Sequence, residues 1–191
     1  MLRQWAPGVI ALVCLSGCSA STAFYMQGNR ALAAGEYDRA IHAYSSALID
    51  NPQHVGARTA LGVAHYRRGS FPAAIQALEE AQSLDPYDPR IQLYLGLSYL
   101  RLGQPDRSRQ HLTALLEQMP NFIMREQALR AISVTQETNL SESVREYVAH
   151  SLEQTIRQEQ RVAALGERIR ILETQQLYRP APHVIRSTLC R

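Results

Sequence analysis

The chain of 191 residues contains no lysine; all twenty of its basic residues are arginine. That absence excludes a Schiff-base lysine and the lysine of a phosphate-binding loop, and with them two large classes of enzyme. Charge is modest as well. With 19% charged residues and a net charge of +3 there is neither a basic stripe for nucleic acid nor the composition of a disordered polyelectrolyte. Cysteine is scarce, at positions 14, 18 and 190, and the six histidines (42, 54, 65, 111, 150 and 183) are scattered without an H-E-x-x-H pair. Ser98 and Ser108 lack a nucleophile-elbow context, and no glycine cluster has phosphate-loop spacing. Asp85-Pro86-Tyr87-Asp88 brings two carboxylates together, but at a turn, where they are expected to cap the following helix. The reading is therefore of a non-enzyme with no cofactor and no metal.

Long apolar runs are also missing. Val9 to Leu15 is the apolar stretch nearest the start, behind the single charge of Arg3, and it is too short for a stable membrane span. It reads as a secretory signal over residues 1–17. Leu15-Ser16-Gly17-Cys18 follows: a branched apolar residue, two small residues and a cysteine. This tetrapeptide resembles the lipobox of bacterial lipoproteins. The resemblance implies cleavage before Cys18, lipidation of Cys18 and a lipid-anchored N-terminus over 18–22. Several acyl chains, each contributing about 0.8 kcal/mol per buried CH₂, make a durable anchor. Ser19 stands where an aspartate tends to retain such proteins in the inner membrane. The resemblance thus implies the outer membrane, facing the periplasm, with the inner membrane as the lesser alternative. Cys190 then remains near the end, either as a partner for an intermolecular disulfide or as a simple tail thiol.

Periodicity is what the chain has in abundance. Pro52, Pro86 and Pro120 lie 34 residues apart. Counting back from each, a small residue stands at twelve (Ala40, Ala74, Ser108) and a larger one at eight (Tyr44, Leu78, Leu112). Glycines stand at seventeen (Gly35, Gly69, Gly103) and at twenty-four (Gly28, Gly62, Gly96). Such cycles describe paired helices: a glycine turn between them, a small residue where they approach closely, and a proline after the second. Tyr37 and Phe71 open the second helices of the first two cycles, with Pro105 at that point in the third. The cycles resemble tetratricopeptide repeats. They imply an all-α, three-repeat helical solenoid over residues 23–122 that binds other proteins.

Two further elements are expected. Phe122, Ile123, Met124, Leu129, Ile132 and Val134 suit a capping helix, placed at 123–140, that covers the last repeat. A long helix over 141–178 follows, with Ser141 as its N-cap, and then a disordered tail over 179–191 that begins near Pro180-Ala181-Pro182. In the long helix Val144, Val148, Leu152 and Ile156 form a stripe spaced by four, expected to pack on neighbours. Val162, Leu165, Ile169 and Leu172 then alternate spacings of three and four, the seam of a coiled coil. That seam is compatible with a homodimer, with a partner helix, or with one solvent-exposed helix weakened by Gly166.

In tetratricopeptide arrays the first helices line a concave groove. By resemblance this groove comprises Tyr25, Asn29 and Leu32, then Thr59, Val63, Tyr66 and Arg67, then Arg90, Leu93, Leu97, Leu100 and Arg101. Some members clamp a terminal carboxylate there. This sequence keeps Asn29 and Arg90 but has Tyr25, Ala60 and Tyr94 at other clamp positions, which speaks against that mode. The implied partners are proteins or peptides of the cell envelope with apolar anchors and some acidic character, and not nucleic acid; the membrane is met through the anchor. The alternative is that the protein's own helix fills the groove. The resulting function is a membrane-anchored adaptor that scaffolds an envelope complex, such as one for pilus or secretin assembly, outer-membrane assembly, polysaccharide export or cell-wall enzyme control. A regulatory lipoprotein acting on a sensor or transporter through the coiled coil is the alternative.

Overall fold

The computed structural model describes the backbone of residues 10–118, 122–137 and 140–177; side chains are described there except at 10–19, 122–124 and 175–177. The side chain of Cys18, the apolar load at Phe122, Ile123 and Met124, Pro120, the 179–191 tail and Cys190 lie outside this set. Among the described residues there are eight helices and no strand: α1 (Ile10–Ala34), α2 (Tyr37–Asp50), α3 (Val55–Arg67), α4 (Phe71–Leu84), α5 (Pro89–Arg101), α6 (Pro105–Glu117), α7 (Phe122–Val134) and α8 (Glu142–Leu177). The chain divides after Leu152 into two compact units, the first holding α1–α7 and the start of α8.

Within the first unit α1 pairs with α2, α3 with α4 and α5 with α6, while α2 joins α3 and α4 joins α5. The first helices α1, α3 and α5 stand side by side, and α7 packs on α6. This is the all-α solenoid of three helix pairs that the 34-residue period implies.

Each column has a physical task. Gly35, Gly69 and Gly103 have φ of 79°, 86° and 72°, the left-handed conformation that ends a helix at little cost only for glycine. Two backbone bonds close each turn, for example Gly69 N to Tyr66 O (2.9 Å) and Ser70 N to His65 O (2.9 Å). The second glycine column makes room. A Cβ on Gly62 would come within 2.5 Å of Leu78, and one on Gly96 within 2.8 Å of Leu112; Tyr44 fills the same space beside Gly28. Ala40, Ala74 and Ser108 are fully buried where paired helices meet. Before Pro52 and Pro86, the caps Asn51 and Asp85 are extended (φ −139° at each), so α2 and α4 stop two residues before the prolines. Asp88 does cap α5, accepting from Arg90 N at 2.9 Å.

The later elements depart in detail from the sequence reading. The capping helix exists as α7, but Leu129 is exposed, and Ala128, Ala131 and Thr135 are the buried residues. Their spacing of three and four makes one narrow buried face of mostly small side chains, while Ala131 also lines a cavity with Val148 and Leu152 of α8. In α8 the stripe spaced by four does not stay buried. Val144 is exposed and Val148 half-buried, whereas Ala149, Leu152 and Ile156 are buried. Residues four apart advance about 40° around a helix, so Val144 is turned by about 120° from Ile156. Ser141 caps α8 as expected, its Oγ accepting from Val144 N at 3.4 Å.

Candidate protein-binding groove

The groove residues fall on α1, α3 and α5, whose order along the stack follows directly from the repeat. In α1, the Tyr25 ring lies against His54 (centroids 4.7 Å apart) and Tyr44 (6.0 Å). Asn29 Oδ1 accepts from the Tyr44 hydroxyl at 2.8 Å. Burial pushes that hydroxyl's pKa up, with Tyr25 adding and Arg67 opposing, so Tyr44 stays a neutral donor. Leu32 packs on the cluster of Ala31, Ala40, Tyr44, Ala60 and Ala64. The α1 positions therefore serve the joint between repeats one and two.

In α3 and α5 the floor is closed over. Thr59, Val63, Tyr66, Leu93, Leu97 and Leu100 are all buried. The Thr59 hydroxyl has no hydrogen-bond partner among the described residues. An aromatic and arginine ladder runs along this face. Arg67 Nη2 donates to the Tyr94 hydroxyl at 3.3 Å, Tyr94 meets Tyr66 edge-on at 5.3 Å, and Tyr66 meets Phe71 at 5.7 Å. Arg101 lies over Phe71 (5.0 Å) and pairs with Glu146 at 3.0 Å. That ion pair holds the start of α8 on the end of α5. Arg145 supports it, its guanidinium 3.5 Å from where a Cβ on Gly103 would stand and its Nη1 donating to Leu140 O at 2.6 Å. Arg90 remains exposed and forks onto Asp88, with Nη2–Oδ2 at 2.6 Å and Nε–Oδ1 at 3.1 Å. The hydrogen bond to Asp88 raises its pKa, with the Asp88 charge adding to it.

Sequence reasoning missed Phe71 and Glu146 as members of this face. Phe71 stood in a recognisable column; Glu146 lies 45 residues from Arg101 with no periodic signal to link them. A second polar cluster ties α4, α5 and α6 together. Tyr99 stacks on His111 (5.5 Å) and donates to Glu79 Oε1 at 2.6 Å, while His111 Nδ1 sits 2.9 Å from Gln92 Oε1. Burial lowers the His111 pKa, so its imidazole is neutral and its role is structural. Among the described residues no group of three or more His, Cys, Asp or Glu could hold a metal ion.

This architecture defines a helical-repeat module for protein contacts. Tetratricopeptide-repeat family models match residues 25–89 and 66–132, together more than half of the chain, and the chain belongs to that family. The CTR9 homolog of Arabidopsis thaliana is 30% identical over 109 residues, covering 56% of this chain but 10% of that protein. The chain thus spans about a tenth of that relative's length. Similar folds include the Yersinia enterocolitica type III secretion translocator chaperone SycD (TM-score 0.62, 14% identity, 70% of this chain and 94% of that one). The TPR domain of Arabidopsis OM64 is similar too (TM-score 0.59, 18% identity, 62% and 98%). So is the first TPR of Spaghetti (RPAP3), solved with an HSP90 peptide (TM-score 0.58, 22% identity, 62% and 96%). At such identities these likenesses concern the fold alone.

Proposed function

We propose that the protein is a lipid-anchored adaptor at the bacterial outer membrane, facing the periplasm and scaffolding an envelope complex through protein contacts. The observation that carries this is the junction of anchor and repeat. Cys18 of the Leu15-Ser16-Gly17-Cys18 motif stands three residues before Ser21, which is buried and donates to Ala47 O at 2.9 Å. An acylated Cys18 leaves almost no linker, so the first repeat sits at the membrane surface. Peptide complexes of similar folds support the binding role: the RPAP3 domain holds an HSP90 peptide, and SycD a peptide of the translocator YopD.

Arg67, Arg90 and Arg101 line the groove face, but Arg90 is paired with Asp88 and Arg101 with Glu146, so a partner with acidic character would have to replace those carboxylates. The leucine floor is buried within the chain, so an apolar anchor reaches it only by displacing what covers it. The candidate settings are pilus or secretin assembly, outer-membrane assembly, polysaccharide export and control of cell-wall enzymes. A second reading is a regulatory lipoprotein acting on a sensor or transporter through the helix beyond Gln158, favoured by the exposed seam there.

Cys18→Ser tests the anchor. The expected result is loss of incorporated lipid and release from the membrane fraction, or a block in processing. A variant that remains membrane-bound and is cut normally overturns the anchor. Crosslinking in intact cells with mass spectrometry of captured proteins then identifies the complex.

A further inference from the structure

Within the second unit one apolar stripe stays open. Val162, Leu165, Ile169 and Leu172 are each between 56% and 58% exposed, while Ile156 on the same helix is buried. We infer that this stripe is the interface of a parallel, in-register, two-stranded coiled coil between two copies of this chain.

Three observations select this occupant. Spacings of three, four and three place Val162 and Ile169 at the a positions of a heptad, and Leu165 and Leu172 at d. β-branched residues at a with leucine at d are the combination that packs best as a parallel dimer, because the side-chain directions at the two layers differ. The flanking charges agree. Arg168 occupies g and Glu173 the following e, so each Arg168 faces the partner's Glu173 in a parallel pair, twice by symmetry. In the antiparallel alternative, Leu165 meets the partner's Ile169 and Arg168 meets its own copy, a repulsion between like charges. Polar neighbours then set the register. Gln158 precedes the seam at d and Gln176 follows it at a, so a slip of one heptad sets half the apolar seam residues against Thr155, Gln158, Gln176 or Arg179. The seam rises about 15 Å from Val162 to Leu172 and holds four apolar layers, which makes a reversible dimer whose population depends on concentration. This assignment does not rest on the lipid anchor, and the Cys18 experiment can fail without touching it.

The test uses the full chain with its three cysteines changed to serine, followed by sedimentation or light scattering over a wide concentration range. The mass is expected to rise from one chain of 21.4 kDa toward two as concentration increases. L165E is expected to stay monomeric with an unchanged circular dichroism spectrum, since position 165 is exposed in the single chain. R168E or E173R alone should weaken association roughly tenfold, and the double swap R168E/E173R should restore it. L165C in the cysteine-free chain should form a disulfide with its own copy under mild oxidation. A mass of one chain at every concentration overturns the proposal, as does an L165E variant that dimerises like the parent. Disulfides that form only when L165C is mixed with I169C would mean antiparallel packing and also overturn it.

Discussion

Ser108 sits in a column whose other members are alanines. It is fully buried on α6, and its hydroxyl has no hydrogen-bond partner among the described residues. Alanine 40 and alanine 74 meet the same close helix approach without a polar atom to desolvate. Ser108→Ala should therefore raise stability by about 1 kcal/mol, through removal of an unpaired buried hydroxyl and better helix propensity. The denaturant midpoint measures this, and a fall instead of a rise would show that the hydroxyl is satisfied. The same scale explains why Gly28, Gly62 and Gly96 cannot carry a side chain. Their space is already taken by Tyr44, Leu78 and Leu112, so the columns at twenty-four and eight before each proline are two halves of one contact. Sequence periodicity exposed both columns, but which of them touch is a three-dimensional fact.

Helices α3 and α4 illustrate how far an element can be read in advance. The Gly69 turn, the small Ala74 and the extended Asp85 before Pro86 are local in sequence, and each stands where the repeat implies. Overpacking this pair is the sharpest check at this scale. Ala74→Leu is expected to cost about 1–3 kcal/mol, because the added atoms meet a fully buried interface with Gly62 opposite. A thermal midpoint equal to the parent's would show that the helices do not close on that residue. Past the third repeat the period ends, and so does this legibility. In α7 the apolar Leu129 faces out while Ala128 and Ala131 face in, and in α8 Val144 is turned away from the buried face. Apolar content identified these helices; without a repeating register it could not orient them.

For the molecule as a whole, the two candidate roles reside in different units. The repeats and the start of α8 belong to the first, and the exposed seam to the second. Deleting residues 158–191 should leave the repeats folded, with a thermal midpoint close to the parent's, and should leave the protein monomeric. Under the adaptor reading, crosslinking still captures the same envelope proteins. Loss of every captured protein on this deletion would move the function to the seam.

Local chemistry alone determined that this chain is a three-repeat tetratricopeptide solenoid followed by a long helix. Glycine turns, small-residue contacts and proline stops act within one helix pair, and repetition makes them visible. The availability of the groove was decided only in the tertiary structure. Leu93, Leu97 and Leu100 form an apolar face in the sequence, yet all three are buried in the folded chain. Arg101 reads as a binding arginine but is already paired with Glu146 and laid over Phe71. Burial and charge pairing depend on segments far apart in the chain meeting in space, and no period in the sequence encodes that meeting.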